Sequence, residues 1–333
     1  MLWRSLPIRA WFFGLFLMVG LGLAYYSVLG LGAKESVTQQ FLHRKQTLAR
    51  AEAGNLVSYF QSFGNSVATL SQLSSINRRD TTTIQDMDTF VEQRRDGGKV
   101  GGVVLTDKFG VVQFNSNVIG TRDLGMSLAD RDYFVWAKSE PEERYFIGQP
   151  VVSRVGASKG EVIAPVAAPV YERGVFAGVV VASVRLKPLT ERYLGLLKIS
   201  DTTDVHLIDN EGDLLYNGSK PELAGSNIFE LSQDELFTDS RMLDNLIKNI
   251  LNKTEEGNLQ IDGYLVAYSP VALGSQKWML VMTSPSQRIS ELTKPIYIRQ
   301  TSVLLLTFLT TLLFGIVAAS GSKGTKRLEE PNL

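Results

Sequence analysis

Residues able to carry covalent or metal chemistry are few in this chain of 333 residues. It has two histidines, His43 and His206, far apart in sequence, and no cysteine. A zinc site of cysteine and histidine needs three or four such ligands, so that chemistry is excluded. No Ser/His/Asp, Cys/His or paired-carboxylate arrangement stands out, and no Gly-Lys-Ser/Thr phosphate loop occurs. Asp107 and Asp209 hold matching places in two copies of one pattern, which suits hairpin turns better than catalysis. The sequence therefore reads as that of a non-enzyme with no cofactor. Its densest chemistry is noncovalent, in the run Asp130-Arg131-Asp132-Tyr133-Phe134 with Trp136 close behind. There one guanidinium stands among carboxylates and aromatic rings. Arg131 could pair with Asp130 or Asp132, and the rings are large enough to serve as core.

The elements that must position this run are framed by two apolar segments. Residues 10–33 and 300–322 hold no charged side chain. Each is long enough to cross roughly 30 Å of hydrocarbon. Arg4 and Arg9 precede the first, and Lys323, Lys326 and Arg327 follow the second. Positive flanks favour the cytoplasmic side. The topology predicted is a cytoplasmic N-terminus (1–9), transmembrane helices at 10–33 and 300–321, and a short cytoplasmic tail (322–333). The region between them faces the periplasm or the exterior of a bacterial inner membrane. A formal net charge of +0 argues against a nucleic-acid binder, and the lack of cysteine fits a bacterial envelope.

Residues 34–76 read as one long helix without proline. Leu42, Ala49, Leu56, Phe63 and Leu70 recur every seventh residue, and Ala53, Phe60 and Val67 complete an a/d seam. Gly54 and Gly64 weaken it locally. The upper part of this stripe is expected to pack on its own domain, and the lower part to form the seam of a homodimer.

After the helix one pattern occurs twice. Val103-Val-Leu-Thr-Asp-Lys-Phe-Gly-Val-Val-Gln-Phe-Asn115 matches Val205-His-Leu-Ile-Asp-Asn-Glu-Gly-Asp-Leu-Leu-Tyr-Asn217. Asp107 pairs with Asp209, Gly110 with Gly212, and Asn115 with Asn217. Each copy is a hairpin with glycine where a positive φ is wanted. Helical inserts are expected at 128–138 and 232–252, and later strands at 175–185 and 277–284. A linking helix at 187–198 starts at Pro188, which a first turn tolerates. The fold class predicted is α+β: the long helix, then two tandem antiparallel-sheet modules at 77–186 and 187–296.

This pattern, with Ala129-Asp-Arg-Asp-Tyr-Phe134 after the first hairpin and the later strands at 148–153, 162–170 and 174–184, resembles the double Cache sensor domains. These tandem PAS-like domains form the extracytoplasmic part of bacterial chemoreceptors, sensor histidine kinases and membrane diguanylate cyclases. The resemblance covers residues 34–296. It implies a small-molecule site in the first, membrane-distal module, between its sheet and cap. Carried over by position, Arg131 and Tyr133 would stand at the pocket mouth with Phe134 and Trp136 on the cap. Ser153, Arg154 and Tyr171 would line the sheet side. A guanidinium grips both oxygens of a carboxylate. In the amino-acid-binding subset a tyrosine stands five residues before the arginine, where this chain has Met126. Tryptophan and tyrosine are expected where it has Tyr133 and Phe134. No acidic residue for an ammonium group is evident, so a carboxylate without an amine fits better.

The function implied is a sensor input that binds a small molecule and signals across the membrane to a kinase, cyclase or chemotaxis output. Only residues 323–333 follow the second apolar segment. The output is therefore expected from a longer protein of which this is the input half, or from a partner protein. The alternative is an envelope scaffold with its pocket filled by side chains.

Overall fold

The first apolar segment and the heptad stripe belong to one unbroken helix, α1, which spans Ile8–Ser71. The computed structural model describes residues 8–139, 144–198, 202–232, 237–274 and 276–326. Residues 1–7 of the expected N-terminus, 233–236 of the expected insert and 327–333 of the expected tail lie outside these.

Helix α1 stops short of the expected residue 76, because Leu73 adopts extended backbone before a separate turn, α2 (Ser74–Arg78). A third helix, α3 (Thr81–Arg94), was not anticipated. Its signal is local: the Asp80 carboxylate caps it by accepting the Thr82 N–H at 2.8 Å. Met87 and Val91 then face the core. The chain divides into two compact units, one of Leu42–Pro285 and one formed by the segments on either side.

Within Leu42–Pro285 the a/d stripe of α1 is buried against the chain's own sheets. Ala49, Ala53, Leu56, Phe60, Phe63, Val67 and Leu70 all join one core cluster with strand residues of both modules. This corrects the expectation of a dimer seam in the lower stripe. Those side chains are already occupied within the chain, so a seam there has no free apolar surface. Gly64 also has a role beyond weakening the helix. A Cβ there would lie 2.4 Å from the Tyr145 ring, so glycine lets that ring rest on the helix.

The first sheet is antiparallel. Strands β1 (Val100–Thr106) and β2 (Val112–Asn117) form the expected hairpin. After helix α4 (Asp132–Lys138) come the short strands β3 (Phe146–Ile147) and β4 (Val151–Val152). The long pair β5 (Val162–Glu172) and β6 (Val175–Arg185) follows. The sheet order is β2-β1-β6-β5-β3, with β4 also on β5. Every residue of β1 is buried, as befits a strand covered on both faces. Helix α5 (Leu186–Leu194) then leads into the second module.

The second sheet repeats the first. Its strands are β7 (Asp204–Ile208) and β8 (Leu214–Asn217), helix α6 (Arg241–Ile250), then β9 (Gly257–Ile261), β10 (Tyr264–Leu273) and β11 (Gln276–Pro285). The order is β8-β7-β11-β10-β9. Both hairpins turn by the same device. Asp107 Oδ1 accepts the N–H groups of Phe109 and Val111, and Asp209 Oδ1 those of Glu211 and Asp213. Gly110 and Gly212 sit at φ +84° and +93°. Both register shifts also fall at matching places, Leu105/Thr106 and Leu207/Ile208.

In the other unit, the start of α1 packs on helix α7 (Gln287–Lys326). The rings of Tyr26 and Tyr297 meet edge to face at 6.2 Å, and a Cβ at Gly22 would sit 3.2 Å from Leu304. Among the described residues one helix, Gln287–Val317, is long and apolar enough to cross a membrane, while α1 holds a shorter apolar stretch, Phe16–Tyr26.

Candidate functional site

Arg131 closes the loop that follows the first hairpin and stands at the N-cap of α4. The helix is fixed at its start by Asp132, whose carboxylate accepts the N–H of Tyr133 at 2.7 Å and that of Gln149 at 3.2 Å. Gly148 permits this approach. A Cβ there would lie 2.8 Å from Pro165 and 3.1 Å from Asp132. From the same loop the Gln149 side chain donates to Glu211, in the hairpin turn of the second module. The cap of the first module thus reaches the second through one polar contact.

Between cap and sheet lies a cavity of about 30 Å³. Gly102 and Val104 on β1, Asn115 on β2 and Ser183 on β6 form its floor. Leu128, Arg131 and Tyr133 form its roof, and residues 153–157 close one side. That volume suits a water or two.

Of the residues expected at the site, Arg131, Tyr133, Ser153 and Arg154 meet at this cavity. Arg131 Nη2 donates to the Val152 carbonyl at 3.0 Å and makes no ion pair with Asp130 or Asp132. Arg154 takes Asp130 instead, through two bonds of 2.7 Å. Those bonds hold the Asp130 carboxyl below its ordinary range. Ser153 Oγ donates to the Val155 carbonyl at 3.0 Å. Burial pushes the Tyr133 phenol well above its usual value, so it stays a neutral hydroxyl.

Phe134, Trp136 and Tyr171 lie elsewhere. Phe134 and Tyr171 both contact Phe176 edge-on, at 5.9 and 6.3 Å, and Trp136 stacks on Phe146 at 5.0 Å. They pack the cap onto the far part of the sheet and do not line the cavity.

Asn115, which in the sequence marks only the repeat, also lines this cavity. It is 1% exposed. Its Oδ1 accepts from Asn117 at 3.0 Å, but its Nδ2 has no hydrogen-bond partner. Buried donors are normally satisfied, so a water in this cavity or an acceptor on a guest would meet this one. The signal was present in the sequence: two asparagines, 115 and 117, inside a strand, where that residue is disfavoured. No carboxylate lines the cavity among the described residues. Asp123, close by, already accepts the Gly156 N–H at 2.7 Å. The arrangement therefore offers donors and a cation, with no carboxylate among the described lining residues to pair with an ammonium group.

Comparison with known proteins agrees with this architecture. The family model described as Cache domain matches residues 33–293. No curated protein sequence matches at a significant level. Among solved structures, an extracellular ligand binding receptor from Desulfohalobium retbaense DSM5692 aligns at 14% identity and a TM-score of 0.56. That match covers 71% of this chain and spans 39% of that one. A domain of a sensory box/GGDEF family protein from Vibrio parahaemolyticus aligns at 14% identity and 0.57, over 78% of this chain and 99% of that one. The ligand-binding domain of the Pseudomonas fluorescens chemoreceptor CtaA, solved with L-isoleucine, aligns at 15% and 0.53, over 78% and 98%. Identities this low show the shared fold alone. The family model carries the assignment, since it spans most of the sequence: the chain belongs to the Cache domain family.

Proposed function

We propose that this chain is the extracytoplasmic input part of a membrane-anchored receptor, and that its first module binds a small carboxylate lacking an amine. One observation carries the reading. The cavity brings the Arg131 guanidinium, the unused Asn115 donor and the neutral Tyr133 together, and no carboxylate lines it among the described residues. A carboxylate would gain charge-assisted bonds from Arg131 and accept from the Asn115 amide, which no protein group takes up. The CtaA domain was solved with an amino acid. Here an ammonium group would find no acid among the described lining residues.

The membrane reading has both termini inside, with spans at residues 10–33 and within α7. The two sheet modules, near 77–186 and 187–296, would then face outward. A guest that displaces the 148–157 segment would alter how the first sheet packs on α1. The change would pass along α1 and, through the second sheet, from β11 into α7, to an output domain or partner. Such transmission needs two packing states that differ in ligand affinity.

The test is thermal unfolding of the full chain in lipid nanodiscs against small organic acids, amino acids and amines. A ligand at 100 times its dissociation constant adds roughly 2.7 kcal/mol. Acids without an amine should raise the melting temperature, and Arg131→Ala should abolish the rise with folding intact. A rise that Arg131→Ala preserves would remove the arginine from the site. A second reading, a scaffold that binds no small molecule, is favoured by the small size of the cavity, and a flat response across the panel would select it.

A further inference from the structure

Pairing between strands places the two modules in register residue by residue. Val104 pairs with Asn115 on one side and Val181 on the other, and His206 likewise pairs with Asn217 and Val281. Gly102 pairs with Ser183 as Asp204 pairs with Thr283. Where the first module floors its cavity with Gly102 and Val104, the second therefore carries a carboxylate and an imidazole.

The His206 side chain is fully buried, and neither ring nitrogen has a hydrogen-bond partner. Its Nε2 lies 3.4 Å from Asp204 Oδ2, without hydrogen-bond alignment. Phe237 meets the ring at right angles, with centroids 5.7 Å apart. The polar side chain across the strand pair is engaged: Asn217 Oδ1 accepts the N–H groups of Ser219 and Lys220, and its Nδ2 reaches the Phe237 carbonyl at 3.5 Å. A neutral imidazole carries one donor and one acceptor, and both are left unmet here, beside an acid.

We propose that the second module is a proton-responsive input: protonated His206 pairs with Asp204 and displaces Phe237, loosening the cap that runs from Phe237 through α6. The proton comes from solvent and goes to a ring nitrogen, and no bond between heavy atoms changes. This site is separate from the carboxylate cavity and stands or falls without it.

The charges around the ring set the direction. On its own strand Asp204 draws a proton in, and Lys220, after β8, opposes it. Strand β11 presents Val281 and Thr283, and the cap presents Phe237. The cap carboxylate Asp244 is taken up by Thr238, through its N–H and hydroxyl. Burial is the largest influence and holds His206 below its ordinary value while the cap is closed. With the cap open the burial cost is gone and Asp204 favours the charged ring, so it titrates no lower than its ordinary value of about 6.5. The open form then binds a proton that the closed form refuses. Below about pH 6.5, each pH unit multiplies the open population by up to about ten. That continues until the closed form itself takes up the proton.

Hydrogen exchange of the full chain in nanodiscs, corrected for intrinsic rates, reads this opening. Protection of residues 237–251 should fall about tenfold between pH 7.5 and 5.5 in the wild type. In His206→Leu it should stay level. An unchanged cap in the wild type, or an equal loss in the variant, would overturn the proposal. Should His206→Leu fail to fold, His43→Gln leaves His206 as the sole histidine for a magnetic resonance titration. Protonation in step with cap loosening supports the idea. A ring that stays neutral to pH 5 behind a closed cap, or one that protonates without loosening it, sinks it.

Discussion

At the place where β1 sets Gly102 and Val104 beneath the cap of the first module, β7 sets Asp204 and His206 beneath that of the second. The first cap rests on its sheet around a small cavity with a free donor, Asn115. The second is filled by Ile228, Phe237, Leu243, Ile247 and Ile250, which pack on Ile208 and Val281 of the sheet. One scaffold thus carries a small hollow with a few polar groups in one copy and an apolar plug in the other. The shared strands and turns make the sheet, and the residues that differ decide whether the space above it is left open.

The faces toward α1 differ less, and the largest expected effect lies there. Trp278 is fully buried and meets Phe60 of α1 edge-on at 5.4 Å. Trp278→Ala should cost about 3–5 kcal/mol, read as a fall in denaturation midpoint that removes the second module first. Equal loss in both modules by hydrogen exchange would mean that α1 welds them into one cooperative body.

The paired asparagines sharpen the comparison. Asn217 is satisfied within the chain, so Asn217→Leu should destabilise by about 1–3 kcal/mol as the N–H groups of Ser219 and Lys220 lose their acceptor. Asn115 has an idle amide nitrogen, and its Oδ1 accepts only from an Asn117 amide that also reaches the Thr121 carbonyl, so Asn115→Leu should cost clearly less stability than Asn217→Leu. It should still weaken carboxylate binding about tenfold, measured by calorimetry. Equal stability losses at both positions would break the distinction between site and plug.

The smallest effect concerns the end of the second sheet. Lys45 of α1 is buried and donates to Ser284 Oγ at 2.6 Å, and burial pulls its ammonium down to about 8. Above that pH the folded chain releases a proton that the unfolded chain keeps to about 10.4. Stability should therefore rise with pH across this window, by at most about 1.4 kcal/mol per unit. Lys45→Met should remove the slope, which denaturant titrations at pH 7.5 and 9.5 would show.

Much of the framework was legible in the residue order because the signals are local. The seven-residue stripe of α1 reports one helix face. The Asp–Gly hairpin turns report backbone that other residues take up with strain, and the doubled pattern reports two similar sheets. Strand β6 was read to its ends, since Gly174 and the helix starting at Leu186 bound it. The shorter pieces were not. Helices α2 and α3 hang on the break at Leu73 and the cap at Asp80, signals of one residue each.

The sequence by itself determined two tandem sheets behind a long apolar helix, and the arginine–aromatic run beside the first. Only the tertiary structure decided which side chains share a cavity. Arg131, Asn115 and Ser153 come from a loop, β2 and the segment after β4, and they meet because β1 and β6 pair at the centre of the sheet. Likewise the rings of Phe134, Trp136 and Tyr171 went to packing once Phe146 and Phe176 stood opposite them. Periodicity and turn chemistry act over a few residues and can be read along the chain. A site is made by side chains far apart in sequence, and their meeting depends on strand order and register.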